Sequence, residues 1–478
     1  MKEQETGVDL ETPKYRIQRR FYDRVTGRVY DRLADIERKL APNPAAIRTF
    51  LRIGYVPGTA TLFEGVDCLP GGCRLVVGAE GWRVKERFQT PPPRAEGDWT
   101  RLREEGARLF VAAVHRAAAA QPEVLVPLSG GMDSRAILAA LLEVLPAWKI
   151  NTYTHGTIGA NDFELGNLVA RRVGTRHVSI DLDQVPFTYD ALATAAVWSD
   201  ANTDLAQPAV WHRVAEIFGT SVPQWTGFTG DGLGGSHYRP PRAVTMTEAV
   251  EAYLNEEAVH YDWVDRNEPW REEAALVATE TAYDRSLGRH EAVWFDNHVE
   301  RYTTHHIFMN ALSFVNPFMD DEFASFMLSL PSEWRDGKRF FDDMVRSRFP
   351  KLFGLPTKSE GWHQGGVRQA GWRLEQAARK AAWRIAPSRF HHPMMSYLDF
   401  GEALRRRDDV SRLAAELLTG LARRGVVDGR EVLRRWKSHR AGAADHRYVL
   451  TLLMSLEVAL RVFSDAEGPR RAPSSSGA

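Results

Sequence analysis

Residues 124–138, VLVPLSGGMDSRAIL, run an apolar stretch straight into Ser129-Gly130-Gly131 and restart as an apolar-patterned helix, with Asp133 at the junction. A strand turning through glycines into a helix presents bare backbone N–H groups at the positive end of the helix dipole, which makes a cradle for anions. Polyphosphate is the natural occupant. The P-loop pattern is missing, because no Gly-Lys-Ser/Thr follows the glycines. A carboxylate beside phosphate is repulsive until a divalent cation bridges them, so Asp133 is a candidate Mg²⁺ ligand. Ser129 and Ser134 add hydroxyl donors.

The elements around this break alternate. WTRLREEGARLFVAAVHRAAAA, from Trp99, puts Leu102, Leu109, Phe110, Ala113, Val114 and Ala117 on one helical face. The order is then strand (EVLVPL), helix (DSRAILAALLEV), strand (KINTYTH), helix (DFELGNLVARRVG) and strand (HVSIDL), an alternation that builds a parallel sheet with its ligand edge at the strand ends. From about residue 240 the pattern is mostly helical. Ahead of the sheet, residues 45–88 alternate short β-prone runs with Pro and Gly turns, and QTPPPRAEGD (89–98) reads as a linker. The expected boundaries are 1–95 for a small β-rich unit, 96–465 for the α/β and helical unit, and 466–478 for a disordered tail.

Composition narrows the partners. Lys and Arg total 62 against 62 Asp and Glu, so no basic field argues for nucleic acid. Only Cys68 and Cys73 occur, too few for a disulfide framework or a four-ligand zinc site, and they read as reduced thiols. No apolar run is long enough to span a membrane, and the charged amino terminus does not resemble a signal peptide, so a cytoplasmic location is expected.

The hexapeptide Ser129-Gly130-Gly131-Met132-Asp133-Ser134 resembles the signature of the PP-loop ATP pyrophosphatases, and more closely their asparagine synthetase and β-lactam synthetase branch. Three further segments share the resemblance: NTYTHGTIGANDFELGNLVARRVGTRHVSIDL (151–182), TGFTGDGLGGSHY (226–238) and VNPFMDDEFASFMLSLP (315–331). It implies a HUP-like (adenine nucleotide alpha hydrolase) α/β fold with a helical C-terminal region, binding ATP and Mg²⁺. It also implies two steps: a substrate carboxylate attacks the α-phosphate of ATP, and an amine captures the acyl-adenylate as an amide. Carried onto this chain, Asp133 and Asp231 hold the metal, Asp231 and Lys358 are catalytic, and Leu128, Ser129, Gly130, Gly131, Ser134, Thr154, His155, Gly156, Gly227 and Phe228 line the nucleotide.

Departures from that branch shape the expected product. Lys2 follows Met1, so the amino-terminal cysteine of a glutaminase is missing, and roughly 95 residues suit only a truncated, degenerate N-terminal nucleophile-type domain. Phe228 stands where the relatives carry Glu or Tyr, and Gly232 where an acid often follows the Asp. The expected substrate is a small molecule or peptide bearing a carboxylate and an amine, giving a β-lactam, a lasso-type macrolactam or an intermolecular amide. Competing readings are a nucleotide-binding pseudoenzyme that regulates a partner, and an amidotransferase using ammonia supplied in trans. A tRNA-modifying relative would need basic patches that are not evident. The aromatic-rich N-terminal stretch is expected to pack on the ATP-binding unit, with docking of a partner protein as the alternative. Asp200 and Asp204, His305-His306, His391-His392 and Arg405–Arg407 are expected on solvated surfaces.

Overall fold

The computed structural model describes residues 8–14, 19–94, 96–121, 123–237, 245–264, 268–362, 365–386 and 389–465. The expected disordered tail, 466–478, and residue 95 at the expected boundary lie outside the described residues.

The N-terminal part carries strands β1 (Val8–Thr12), β2 (Phe21–Asp23) and β3 (Arg28–Tyr30), helix α1 (Pro44–Ile53), and strands β4 (Val66–Cys68), β5 (Cys73–Gly78) and β6 (Gly81–Arg87). They form two three-stranded antiparallel sheets, ordered β1-β5-β6 and β3-β2-β4. Helix α1 starts where the Asn43 side chain accepts from Ala46 N–H and Pro44 takes the first helical position, and stops at Gly54, which adopts φ 88°.

Helix α2 (Trp99–Ala119) follows, capped by Asp98 accepting from Arg101 N–H. It buries Leu102, Phe110, Ala113 and Val114, with Leu109 and Ala117 half-buried. Next come β7 (Leu125–Pro127), α3 (Asp133–Leu141), β8 (Asn151–Gly156), α4 (Asn161–Val173), β9 (Arg176–Asp181), α5 (Tyr189–Trp198), α6 (Val210–Phe218), β10 (Gln224–Trp225), the one-turn α7 (Gly230–Gly234) and β11 (Phe314–Val315). The five strands pair in parallel in the order β11-β10-β7-β8-β9. The expected α/β fold with a helical C-terminal region is therefore the observed one.

Strand alternation explains why the sheet is buried on both faces. Leu125 and Tyr153 enter one apolar cluster, shared with Phe21, Phe50, Leu417 and Leu453. Val124, Val126 and Leu128 enter the other, shared with Phe110, Ile137, Phe323 and Phe340. The N-terminal residues thus pack on the sheet through a common core, as the aromatic-rich stretch suggested. Among the described residues no helix is long and apolar enough to cross a membrane.

Several surface expectations fail. Asp200 is buried and pairs with buried Arg19 at 2.8 Å, while Asp204 is buried and accepts from Thr451 Oγ1 at 2.7 Å. Acids in loops stay in water only when nothing satisfies them inside, and here cation and hydroxyls do. His305 and His306 are buried too, His306 with its Nδ1 2.9 Å from Thr203 Oγ1 and its ring against Tyr302. Arg405 and Arg407 reach His439 and Leu182 carbonyls, leaving Arg406 exposed. The closing helix, Arg447–Leu460, is buried at every residue from Val449 onward and is a central core helix.

Candidate active site

The strand order reverses between β7 and β10: the chain builds outward from β7 through β8 and β9, then returns to add β10 on the other side. Crevices at such a switch, outside the carboxyl ends of the strands, are where open α/β sheets bind ligands. The loop after β7 is Leu128–Met132 and the loop after β10 is Thr226–Thr229, so both sequence motifs open onto this crevice.

The two loops touch. A Cβ on Gly227 would lie 2.6 Å from Asp133 Cβ, and one on Gly230 would lie 2.8 Å from Asp133 Cγ. These glycines let the second loop cross directly over the first residue of α3. Thr229 is held at φ 90°, a conformation non-glycine residues rarely adopt, with Asn316 Nδ2 donating to the Phe228 carbonyl at 2.6 Å and meeting Thr229 Oγ1 at 3.3 Å. Phe228 itself is substantially exposed.

Asp133 and Asp231 converge on one ammonium group. Lys338 Nζ donates to Asp133 Oδ1 at 2.6 Å and to Asp231 Oδ1 at 2.9 Å. Its stem crosses Gly234, where a Cβ would lie 3.0 Å from Lys338 Cγ and Cε. Burial pushes the Asp133 carboxyl up to about 6, with Lys338 opposing and Asp231 reinforcing the shift. Asp231, two-thirds exposed at its side chain, lies below the ordinary carboxylate range, because Lys338 overcomes what desolvation raises. Burial alone would lower Lys338, but the two acids hold it above an ordinary lysine. On the next helix turn Asp342 is pushed up to about 7 by burial, and its Oδ1 has no hydrogen-bond partner.

A second lysine lies on the other side of the first loop. Lys358 N–H donates to the Gly130 carbonyl at 2.8 Å, and its Nζ donates to Ser396 Oγ at 2.7 Å and to the Asp162 carboxylate. Asp162 also accepts from Gly130 N–H at 3.1 Å. The loop amides are therefore engaged rather than bare, since Gly131 N–H donates to Ser129 Oγ at 3.1 Å and Ser129 N–H to Ser134 Oγ at 3.4 Å. Gly130 answers to packing: a Cβ there would lie 3.0 Å from Lys358 Cβ and 3.1 Å from the Asn161 carbonyl.

On the β8 side, Thr154 donates its hydroxyl to the Leu128 carbonyl at 3.0 Å and is buried. His155, pushed down to about 4 by burial, packs among Tyr153, Trp211 and Tyr397. Gly156 takes φ 152° at the strand end. The crevice thus holds Asp133, Asp231, Lys358 and the residues of both loops, with Thr154 bonded to Leu128 from the neighbouring strand, and adds Lys338, Asp162, Asp342 and Asn316. Lys338 had one local signal: a lysine preceding the first turn of a helix (Arg339–Arg348) opposes the helix dipole, so something else must hold it there.

Two carboxylates facing one crevice suit a hard divalent cation that completes its coordination with phosphate oxygens and water. Among the described residues no cluster of three or more His, Cys, Asp or Glu could hold a metal by itself. Asp133 and Asp231 fit such an ion, their charges now answered by Lys338.

The family model for asparagine synthase matches residues 105–461. The chain belongs to the asparagine synthase family. That makes it a member of a family of ATP-using carbon–nitrogen ligases, and the crevice just described lies within the matched region. No curated protein matches the sequence. One matching solved structure is a glutamine-dependent NAD+ synthetase from Acinetobacter baumannii in complex with adenosine diphosphate, at 13% identity and TM-score 0.20. The match covers 46% of this chain and 49% of that one, about half the length of the synthetase structure.

Proposed function

We propose that this asparagine synthase-family chain is an AMP- and pyrophosphate-forming amide synthetase that adenylates a substrate carboxylate and passes it to an amine. The convergence of Asp133 and Asp231 on Lys338 at the sheet's switch point, with Lys358 across the loop, carries the reading. Two acids and two cations around an amide-lined loop are what a triphosphate with its counter-ion requires.

In this reading the phosphates replace Asp162 as acceptors for Gly130 N–H and Lys358, while Ser129, Gly131 and Ser134 donate further hydrogen bonds. Asp133 and Asp231 would hold Mg²⁺, which supplies neutralising charge to the leaving pyrophosphate when bound. Lys358 and Lys338 stabilise the charge that develops on that leaving group. Leu128, Thr154, His155, Gly156, Gly227 and Phe228 border the nucleotide, Thr154 by holding the β8 edge against Leu128. Transfer begins when the amine attacks the adenylated carbonyl, the new C–N bond replacing the C–O bond to AMP.

The N-terminal unit, residues 1–95, is proposed to be a remnant of a glutaminase domain. Cys68 and Cys73 are both buried inside the unit, which supports an amine borne by the substrate or a second substrate over ammonia released by this chain. A β-lactam, a lasso-type macrolactam or an intermolecular amide would each follow from one carboxylate and one amine, and a cytoplasmic, natural-product setting is proposed for it.

ATP–pyrophosphate exchange tests the reading, with a panel of L-aspartate, N-acetyl-L-aspartate, N-acetyl-L-glutamate and short peptides with Asp or Glu side chains. Carboxylate-dependent exchange that falls at least about 100-fold in D133N and D231N supports it. Exchange that is absent with every carboxylate overturns it.

A further inference from the structure

The proposed transfer step needs a proton acceptor for the amine, and Phe228 has none to give. Beside the crevice stands a carboxylate–imidazole pair. Glu257 ends the helix Met246–Glu257, His298 sits in the π-helical stretch Phe295–Thr303, and His298 Nδ1 meets Glu257 Oε2 at 2.9 Å. Glu257 is nearly buried, with its side chain 11% exposed, while that of His298 keeps 20%. An ionised carboxylate only accepts, so Nδ1 carries the proton, and the tautomer this bond selects has its lone pair on Nε2. Among the described residues Nε2 of His298 has no hydrogen-bond partner.

Its position follows from a stack of rings. Trp294, His298, Tyr302 and His306 recur every four residues, and each ring contacts the next at centroid distances of 4.8, 5.0 and 5.2 Å. The His298 ring lies within 15° of parallel to Trp294, and His237 lies on Trp294 at 4.2 Å. Trp294 in turn abuts α7, the turn that follows the second loop: a Cβ on Gly232, the residue after Asp231, would lie 3.4 Å from Trp294 Cζ3. A helical stretch hydrogen-bonded i to i+5 is costly and recurs at functional sites. Tyr55 and Tyr253 brace the carboxylate from behind, Tyr55 hydrogen-bonding to Glu257 and to the Tyr253 hydroxyl. Burial would raise Glu257, but His298 and these bonds hold it below an ordinary glutamate, which keeps it ionised at neutral pH.

We infer that His298 is the general base for amine transfer and that Glu257 is the residue that positions it, an inference that rests on the ligase reading above. An alkylammonium gives one proton to Nε2 and becomes nucleophilic. Its nitrogen attacks the adenylated carbonyl carbon, the C–N bond forms, the C–O bond breaks with its electron pair leaving on AMP, and the remaining excess proton goes to solvent. Trp294 holds the imidazole flat, and Glu257 fixes its tautomer.

The test separates the two half-reactions in full-length H298Q and E257Q, using the carboxylate from the panel that supports exchange. Methylamine is protonated near neutrality and needs a base, whereas hydroxylamine is already neutral. The expected result is exchange within about twofold of the unsubstituted protein, methylamide formation lowered about 10²–10⁴-fold, and hydroxamate formation largely retained. Retained exchange also shows that both variants fold. Methylamide formation at the unsubstituted rate in H298Q overturns the assignment and leaves the ligase reading standing. Loss of exchange, hydroxamate and methylamide together also overturns it, since the pair would then serve structure alone. Exchange missing from the unsubstituted protein removes the ligase reading and this inference with it.

Discussion

Alanine at Gly227 is the sharpest perturbation of the crevice. Its methyl carbon would lie 2.6 Å from Asp133 Cβ, 3.1 Å from the Asp133 carbonyl carbon and 3.2 Å from Ser134 N. Carbon atoms settle at about 3.5–4.0 Å, so the loops must part by roughly 1 Å, and neither neighbour can rotate away because both belong to the first turn of α3. Overpacking of this kind costs about 1–3 kcal/mol. A displacement of ~1 Å between groups that must act together costs about 100-fold in rate. Gly371 is the matched control: it sits exposed inside the helix Gly366–Ile385, and a Cβ there meets nothing within 4 Å. Alanine at 371 is expected to stabilise by about 0.5–1 kcal/mol, because glycine weakens a helix interior. Thermal unfolding and carboxylate-dependent ATP–pyrophosphate exchange, measured on both variants, read the two effects. Exchange in G227A within threefold of the unsubstituted protein would refute the close crossing of the loops.

Three further outcomes follow from the same geometry. K338M removes the cation shared by Asp133 and Asp231; destabilisation toward the lower end of the ~3–5 kcal/mol typical of severed buried pairs is expected, because Asp231 is exposed, and added Mg²⁺ should raise the melting temperature of the variant more than that of the unsubstituted protein. His306, held down to about 3 by burial, contributes stability that is complete above its unfolded value of 6.5 and is lost as pH falls toward 3, about 2 kcal/mol of it by pH ~5. The pH-dependent difference between the unsubstituted protein and H306Q in urea titrations isolates this effect, since Asp133 and Asp342, raised to about 6 and about 7, gain stability over the same window. R19M strips buried Asp200 of its partner and should cost about 3–5 kcal/mol in urea denaturation, part of which R19M/D200N recovers.

What the sequence carries is local. The strand–glycine–helix break at 124–138 and the alternation through β9 were legible because period and turn chemistry act within a few residues, and the family resemblance located Asp231 in the same way. Lys338 was missed because its partners, Asp133 and Asp231, lie 205 and 107 positions away. Gly130 and Gly227 were read as lining the nucleotide, yet they, together with Gly230, clear space for Lys358 and Asp133. Asp200 and Asp204 were misread for a related reason: an acid in a loop is solvated by default, and distant partners, among them Arg19, Thr451 and Ser455, make burial tolerable. His298 and Glu257 carry no motif at all; 41 residues separate them, and the ring stack that aligns them forms only when the helix packs.

The central claim is that a substrate carboxylate attacks the α-phosphate of ATP between Asp133 and Asp231. Turnover of an ¹⁸O-labelled carboxylate, followed by ³¹P NMR or mass spectrometry of the nucleotide, tests it most directly. Adenylation places one ¹⁸O in AMP. Label in inorganic phosphate with ADP as the nucleotide product, or AMP free of label, would contradict it.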